Sequence, residues 1–181
     1  MKINKFTAKI GLPFGLGEIG GEWEPGDAER KAAWEMYVEL ITRVTVVQLG
    51  REEGLLREAL ASYYSLFETT RRILKDGGPD LVRPSNGGVV SFGHLAVAIL
   101  NNALRPLLAI WHPLLEDHEE ARPAGVSRLE WERSWDREGE LRAAIAEVRQ
   151  TLLAYAGLLG DVCDARSLLS LTVRPDVEVE D

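Results

Sequence analysis

From Asp27 onward, apolar residues recur every three or four positions, in four long stretches separated by Gly and Pro. The first opens after Pro25-Gly26, with Asp27 as its N-cap. It carries Trp34, Val38, Ile41 and Thr45, with Tyr37 and Val44 beside them, and fades near Gly50. A short link through Gly54 leads to a second helix whose stripe is Leu56, Leu60, Tyr63, Phe67, Thr70 and Leu74. So short a link favours an antiparallel neighbour. Gly77-Gly78-Pro79 stops it, and the stretch to Val90 is the longest internal loop.

Ser91 caps a third helix through Leu95, Ile99, Ala103, Leu107 and Trp111 to Leu115. Its apolar residues cover more than one stripe, which predicts the most buried helix. Pro106 lacks a backbone donor and is expected to bend it near Asn102. Ser127-Arg128-Leu129-Glu130 matches a capping box ahead of the fourth helix. There Leu141, Ile145, Val148, Leu152, Tyr155, Leu159 and Val162 alternate spacings of four and three without a miss. Such a seam is expected to pack within the monomer.

The two ends have a different pattern. Phe6, Ala8, Ile10 and Leu12 alternate with polar or small residues, and Leu168 to Val173, Val177 and Val179 read as extended. Isolated strands are marginal in water, so these are expected to pair with each other or to add an edge to another chain. The predicted fold is therefore mainly α, an up-down-up-down four-helix bundle with short extended (β) N- and C-terminal arms. Residues 1–26 form a Gly-rich arm, 27–166 the bundle and 167–181 an acidic tail.

Composition narrows the classes. A chain of 181 residues suits one domain that buries roughly 70% of its unfolded surface. With 45% hydrophobic and 28% charged residues it is globular in composition. A formal charge of −8 gives no overall footprint for nucleic acid or an anionic membrane. The single cysteine, Cys163, forms no internal disulfide, which suits the cytoplasm. Leu95 to Leu115 approaches membrane-span length, but Asn101, Asn102, Arg105, Pro106, His112 and Pro113 interrupt it, so it is read as a buried helix. Sixteen arginines against five lysines suit a GC-rich bacterial genome.

Candidate chemistry is sparse. His112 and Glu116 to Glu120 offer metal-binding side chains, but Ser91, Ala109 and Leu115 stand three residues before His94, His112 and His118, so the Glu-x-x-His pattern of di-iron bundles is missing. No metal and no cofactor are expected. Gly15-Leu-Gly17-Glu-Ile-Gly20 fits Gly-x-Gly-x-x-Gly, but no crossover helix and parallel strand follow, so a hairpin or docking arm is the better reading. Cys163 has no nearby histidine to activate it.

Arg105 and His112, seven residues apart, fall on nearly one helical face. The pair resembles the Arg-x4–6-His signature of the HEPN-family ribonucleases, small helical domains, although Pro106 follows the arginine where that family usually has a polar residue. The resemblance implies metal-independent RNA cleavage, with arginine stabilising phosphate charge and histidine transferring protons at a dimer cleft, in a toxin or antiviral system. Among the tryptophans, Trp34 and Trp111 are expected in the core. Trp131 and Trp135 stand one turn apart at the start of the fourth helix, and Trp23 lies in the arm. These three are candidate binding residues, or staples of the bundle's end under the N-terminal arm. The function expected first is a non-enzymatic accessory or scaffold subunit that binds another protein or a second copy of itself. The ribonuclease is the alternative.

Overall fold

The computed structural model describes residues 5–43, 54–83 and 88–172. The protein is mainly helical, with a single two-stranded sheet among these residues. Strands β1 (Phe6–Gly11) and β2 (Glu18–Trp23) precede helices α1 (Asp27–Ile41), α2 (Leu56–Gly77), α3 (Phe92–Ile99), α4 (Arg105–Glu120), α5 (Arg128–Arg133) and α6 (Glu138–Val162).

β1 pairs with β2, antiparallel, from Phe6 opposite Trp23 to Gly11 opposite Glu18. The N-terminal arm is thus a hairpin closed on itself. Gly15 and Gly17 in its turn have φ of 70° and 87°, the left-handed region that favours glycine. Ala8, Ile10 and Trp23 are buried in the helical core. The Thr151 hydroxyl of α6 donates to the Gly11 carbonyl (2.8 Å), and the Phe14 N–H donates to Glu147 (2.8 Å). On its other edge β2 takes a parallel bridge from the long loop, Glu22 N–H to Gly88 O at 2.8 Å and Val90 N–H to Glu22 O at 2.9 Å. A side chain at Gly21 would lie 2.7 Å from the Gly88 carbonyl oxygen, so this approach needs glycine.

α1 packs against α2 and α6, α2 against α4, and α4 against α6. Gly26 occupies the N-cap of α1, one position before the expected Asp27. The buried face is Glu29, Ala32, Ala33, Met36, Tyr37 and Leu40. Trp34, expected in the core, is 45% exposed. The face is turned toward the alanines because small side chains let two neighbouring helices approach closely. Val44, Thr45 and the expected end near Gly50 lie outside the described residues. The α2 and α6 stripes are found as read, with Leu56, Leu60, Tyr63 and Thr70 buried in one, and all seven residues from Leu141 to Val162 buried in the other. Phe67 and Leu74 are partly buried.

Ser91 caps α3, accepting from the His94 N–H. The irregularity expected near Asn102 is a π-helical turn, Leu100–Leu104, in which the Arg105 N–H reaches the Leu100 carbonyl. In an unbroken α-helix the Pro106 ring would clash with the Asn102 carbonyl, and the wider turn relieves this. The turn also explains the broad apolar pattern, since Leu95 and Ile99 before it and Leu107, Trp111 and Leu115 after it are all buried. Phe92–Glu120 is long and apolar enough to cross a membrane by length and composition, but half of its most apolar window is buried within the fold.

Two expectations are corrected at the far end. Trp131 and Trp135 do not begin the long fourth helix. Trp131 lies on the short α5, capped by the Ser127 hydroxyl (3.1 Å from the Glu130 N–H), and Trp135 in the break before α6. Leu168 to Leu171, read as extended, belong to a 3-10 helix, Arg166–Leu171, turned back onto α6, with the Ala165 N–H donating to the Gly160 carbonyl (2.8 Å). Val173, Val177, Val179 and the acidic tail lie outside the described residues.

Candidate functional site

α2 and α4 run antiparallel. Arg57, near the start of α2, pairs with Glu119 near the end of α4 (2.7 Å), while Arg105 at the start of α4 lies 5.3 Å over the Phe67 ring. Each helix presents positions i, i+3, i+4 and i+7 to the space between them. Tyr64, Phe67, Glu68 and Arg71 come from α2; Arg105, Leu108, Ala109, His112 and Pro113 come from α4. They line an open groove of about 410 Å³.

The structure therefore brings Arg105 and His112 into one groove. Arg105 is held by Phe67 and by its Nε–H bond to Asn101 Oδ1 (3.0 Å), which leaves its terminal nitrogens without a carboxylate among the described residues. The His112 Nδ1 lies 3.9 Å from Glu116 Oε2. Seven residues of α-helix separate the pair by about 10 Å along the axis, and side chains on one helix lean the same way. That separation suits two points on an extended ligand better than two groups acting on one atom. Arg71 is exposed and has no ion pair among the described residues, whereas its neighbour Arg72 faces Glu35 and Asp76.

The tryptophans fare differently. Trp23 is fully buried, and its Nε1–H donates to Glu29 Oε1 (2.9 Å), so it presents no surface to a partner. Trp131 and Trp135 are half-buried and meet at His118. Its imidazole stacks on Trp131 with centroids 4.6 Å apart and an interplanar angle of 1°, and on Trp135 at 5.4 Å and 20°. The Trp131 Nε1–H donates to the His118 carbonyl (2.6 Å). Trp135 also meets Trp111 edge-on at 6.2 Å, with Arg137 over the other indole at 4.7 Å. These contacts tie α5 and the start of α6 to α4 rather than to the N-terminal arm.

A second cavity of about 410 Å³ lies between α2, α4 and α5, lined by Leu55, Arg57, Glu116, Glu119, Glu120, Arg122, Arg128, Trp131 and Glu132. Arg57 and Glu119 are paired across it. Glu132, 3% exposed, accepts from the Leu56 N–H (2.7 Å) and the Arg57 N–H (3.3 Å). Burial pushes its carboxyl above the usual range, against those two bonds and the Arg142 charge. Burial likewise pushes the Cys163 thiol up, which disfavours a thiolate nucleophile. No group of three or more metal-binding side chains occurs among the described residues.

Sequence reasoning missed Tyr64, Glu68 and the buried carboxylates Glu29 and Glu132. The groove residues of α2 do leave a signal: Tyr64, Phe67, Glu68 and Arg71 repeat the helical spacing on the side that adjoins the apolar stripe. Comparison with protein-family models, curated proteins and solved structures returns no match.

Proposed function

We propose that this protein is a non-enzymatic, cytoplasmic interaction subunit, an accessory or scaffold component of a larger complex, whose contact surface is the groove between α2 and α4. In this reading α1, α2, the α3–α4 rod and α6 form an up-down-up-down bundle that holds the groove rigid, with the hairpin as a packed flank. The observation that carries it is the groove itself, an open surface in an acidic chain where an exposed tyrosine, apolar residues and two arginines without carboxylate partners among the described residues lie together. Ala109→Arg fills the groove from an exposed position and should leave the fold intact. In extract of the native host, tagged wild-type chain is expected to elute in an assembly larger than its own 20.1 kDa, and Ala109→Arg as free chain. Elution of both as free chain rejects the reading.

A second reading, the HEPN-like ribonuclease, is favoured by the placement of Arg105 and His112 in one groove. Cleavage of mixed RNA in EDTA, lost in His112→Ala, would support it. No cleavage, or equal cleavage by the variant, rejects it.

A further inference from the structure

Arg105, Ala109, His112 and Glu116 form a stripe along α4 with spacings of four, three and four. Opposite charges stand at its two ends and a methyl group near its middle. Among the described residues Arg105 has no carboxylate within reach, and Glu116, exposed, has only the long contact to His112. Eleven residues of helix hold the two charges about 16 Å apart, so they cannot pair within one chain. An identical stripe laid antiparallel across the first would bring each Arg105 to the other chain's Glu116, both pairs forming at once. Ala109, beside the centre, permits the close helix approach that such packing needs.

We propose that this face of α4 pairs with the same face of a second copy of the chain about a two-fold axis passing between Ala109 and His112. The stripe is charge-complementary to itself, as a two-fold contact requires. Tyr64, 56% exposed on the adjoining helix, flanks it with the kind of aromatic surface that interfaces favour. The proposal rests on the groove being a contact surface and names its occupant.

Light scattering coupled to size exclusion, at chain concentrations up to about 100 μM, fills any interface of micromolar affinity. A mass of twice 20.1 kDa is expected for the wild type. Arg105→Glu and Glu116→Arg are each expected to weaken the dimer roughly 100-fold, because the symmetry places each repulsion twice. Arg105→Glu combined with Glu116→Arg restores it. A monomeric wild type, a dimer indifferent to both single reversals, or a double variant no better than the singles overturns the pairing. A monomer that still enters a larger assembly in host extract, lost with Ala109→Arg, also overturns it and assigns the groove to a different protein. Loss of both the dimer and any such assembly from the wild type would reject the groove itself.

Discussion

Glu29 and Glu132 are buried carboxylates that cap helices from other parts of the chain. Glu132, on α5, receives the first two N–H groups of α2, whose own N-cap position holds Leu55 and supplies no side-chain acceptor. Glu29, on α1, receives the N–H of Phe92 at the start of α3 (3.0 Å) together with Gly26 N–H (3.1 Å) and the Trp23 indole. Glu132→Ala is expected to cost about 2–3 kcal/mol in urea unfolding, the cost of leaving donors without a charged acceptor. The raised carboxyl of Glu132 also sets a sign. The native state holds this proton more tightly than the unfolded chain, so stability from this group increases as pH falls through its native value toward 4.5, and declines as pH rises. Wild type should therefore gain on Glu132→Gln as both are titrated downward from neutrality, and a difference independent of pH would contradict the assignment. Tyr155 presents the opposite situation: its hydroxyl is buried without a hydrogen-bond partner among the described residues, and burial pushes its ionisation far up. Tyr155→Phe is expected to raise stability by about 1 kcal/mol, measured by denaturant midpoint. Neither long-range cap was legible in sequence, because a cap supplied across 63 residues or more has no local pattern.

At the level of elements, legibility followed the size of the side chains on each buried face. The α6 seam was read residue by residue because large apolar side chains mark its buried face without interruption. On α1 the large residues misled, since Ala32 and Ala33 lie against the neighbouring helices while Trp34 stays at the surface. The alternation in β1 was visible but its partner was not; Glu18–Trp23 carries two central glycines and only a weak alternation. What fastens the hairpin is side-chain chemistry from α6. Thr151→Val keeps the shape and removes the hydroxyl donor to Gly11. It is expected to cost about 1 kcal/mol and to speed amide exchange in β1 more than in α6. Equal acceleration in both elements would show that the bond does not specifically fasten the hairpin.

Over the whole molecule, hairpin and helices share one hydrophobic core, with Ala8, Ile10 and Trp23 in the same cluster as Leu60, Leu107 and Leu152. Far-ultraviolet circular dichroism and tryptophan emission are therefore expected to report one coincident denaturant transition, and separated midpoints would show an arm that melts alone. The groove was half legible: Arg105 and His112 could be paired from spacing, but the α2 residues facing them required the antiparallel packing that only the tertiary fold supplies. The π-turn has a consequence for chain length. Each residue of an α-helix advances the surface by about 100°, and the buried faces of α3 and α4 would be out of phase by about that amount if the rod were regular. Leu100–Leu104 absorbs the surplus residue, so both halves face the same interior. Deleting one residue of that turn would keep the same core and the same groove once Pro106 is replaced by a residue that an unbroken helix accepts, whereas deleting one elsewhere in the rod would rotate one half against the other. An alignment of relatives of this chain should therefore tolerate a one-residue gap between Leu100 and Leu104 more readily than anywhere else in α3 or α4.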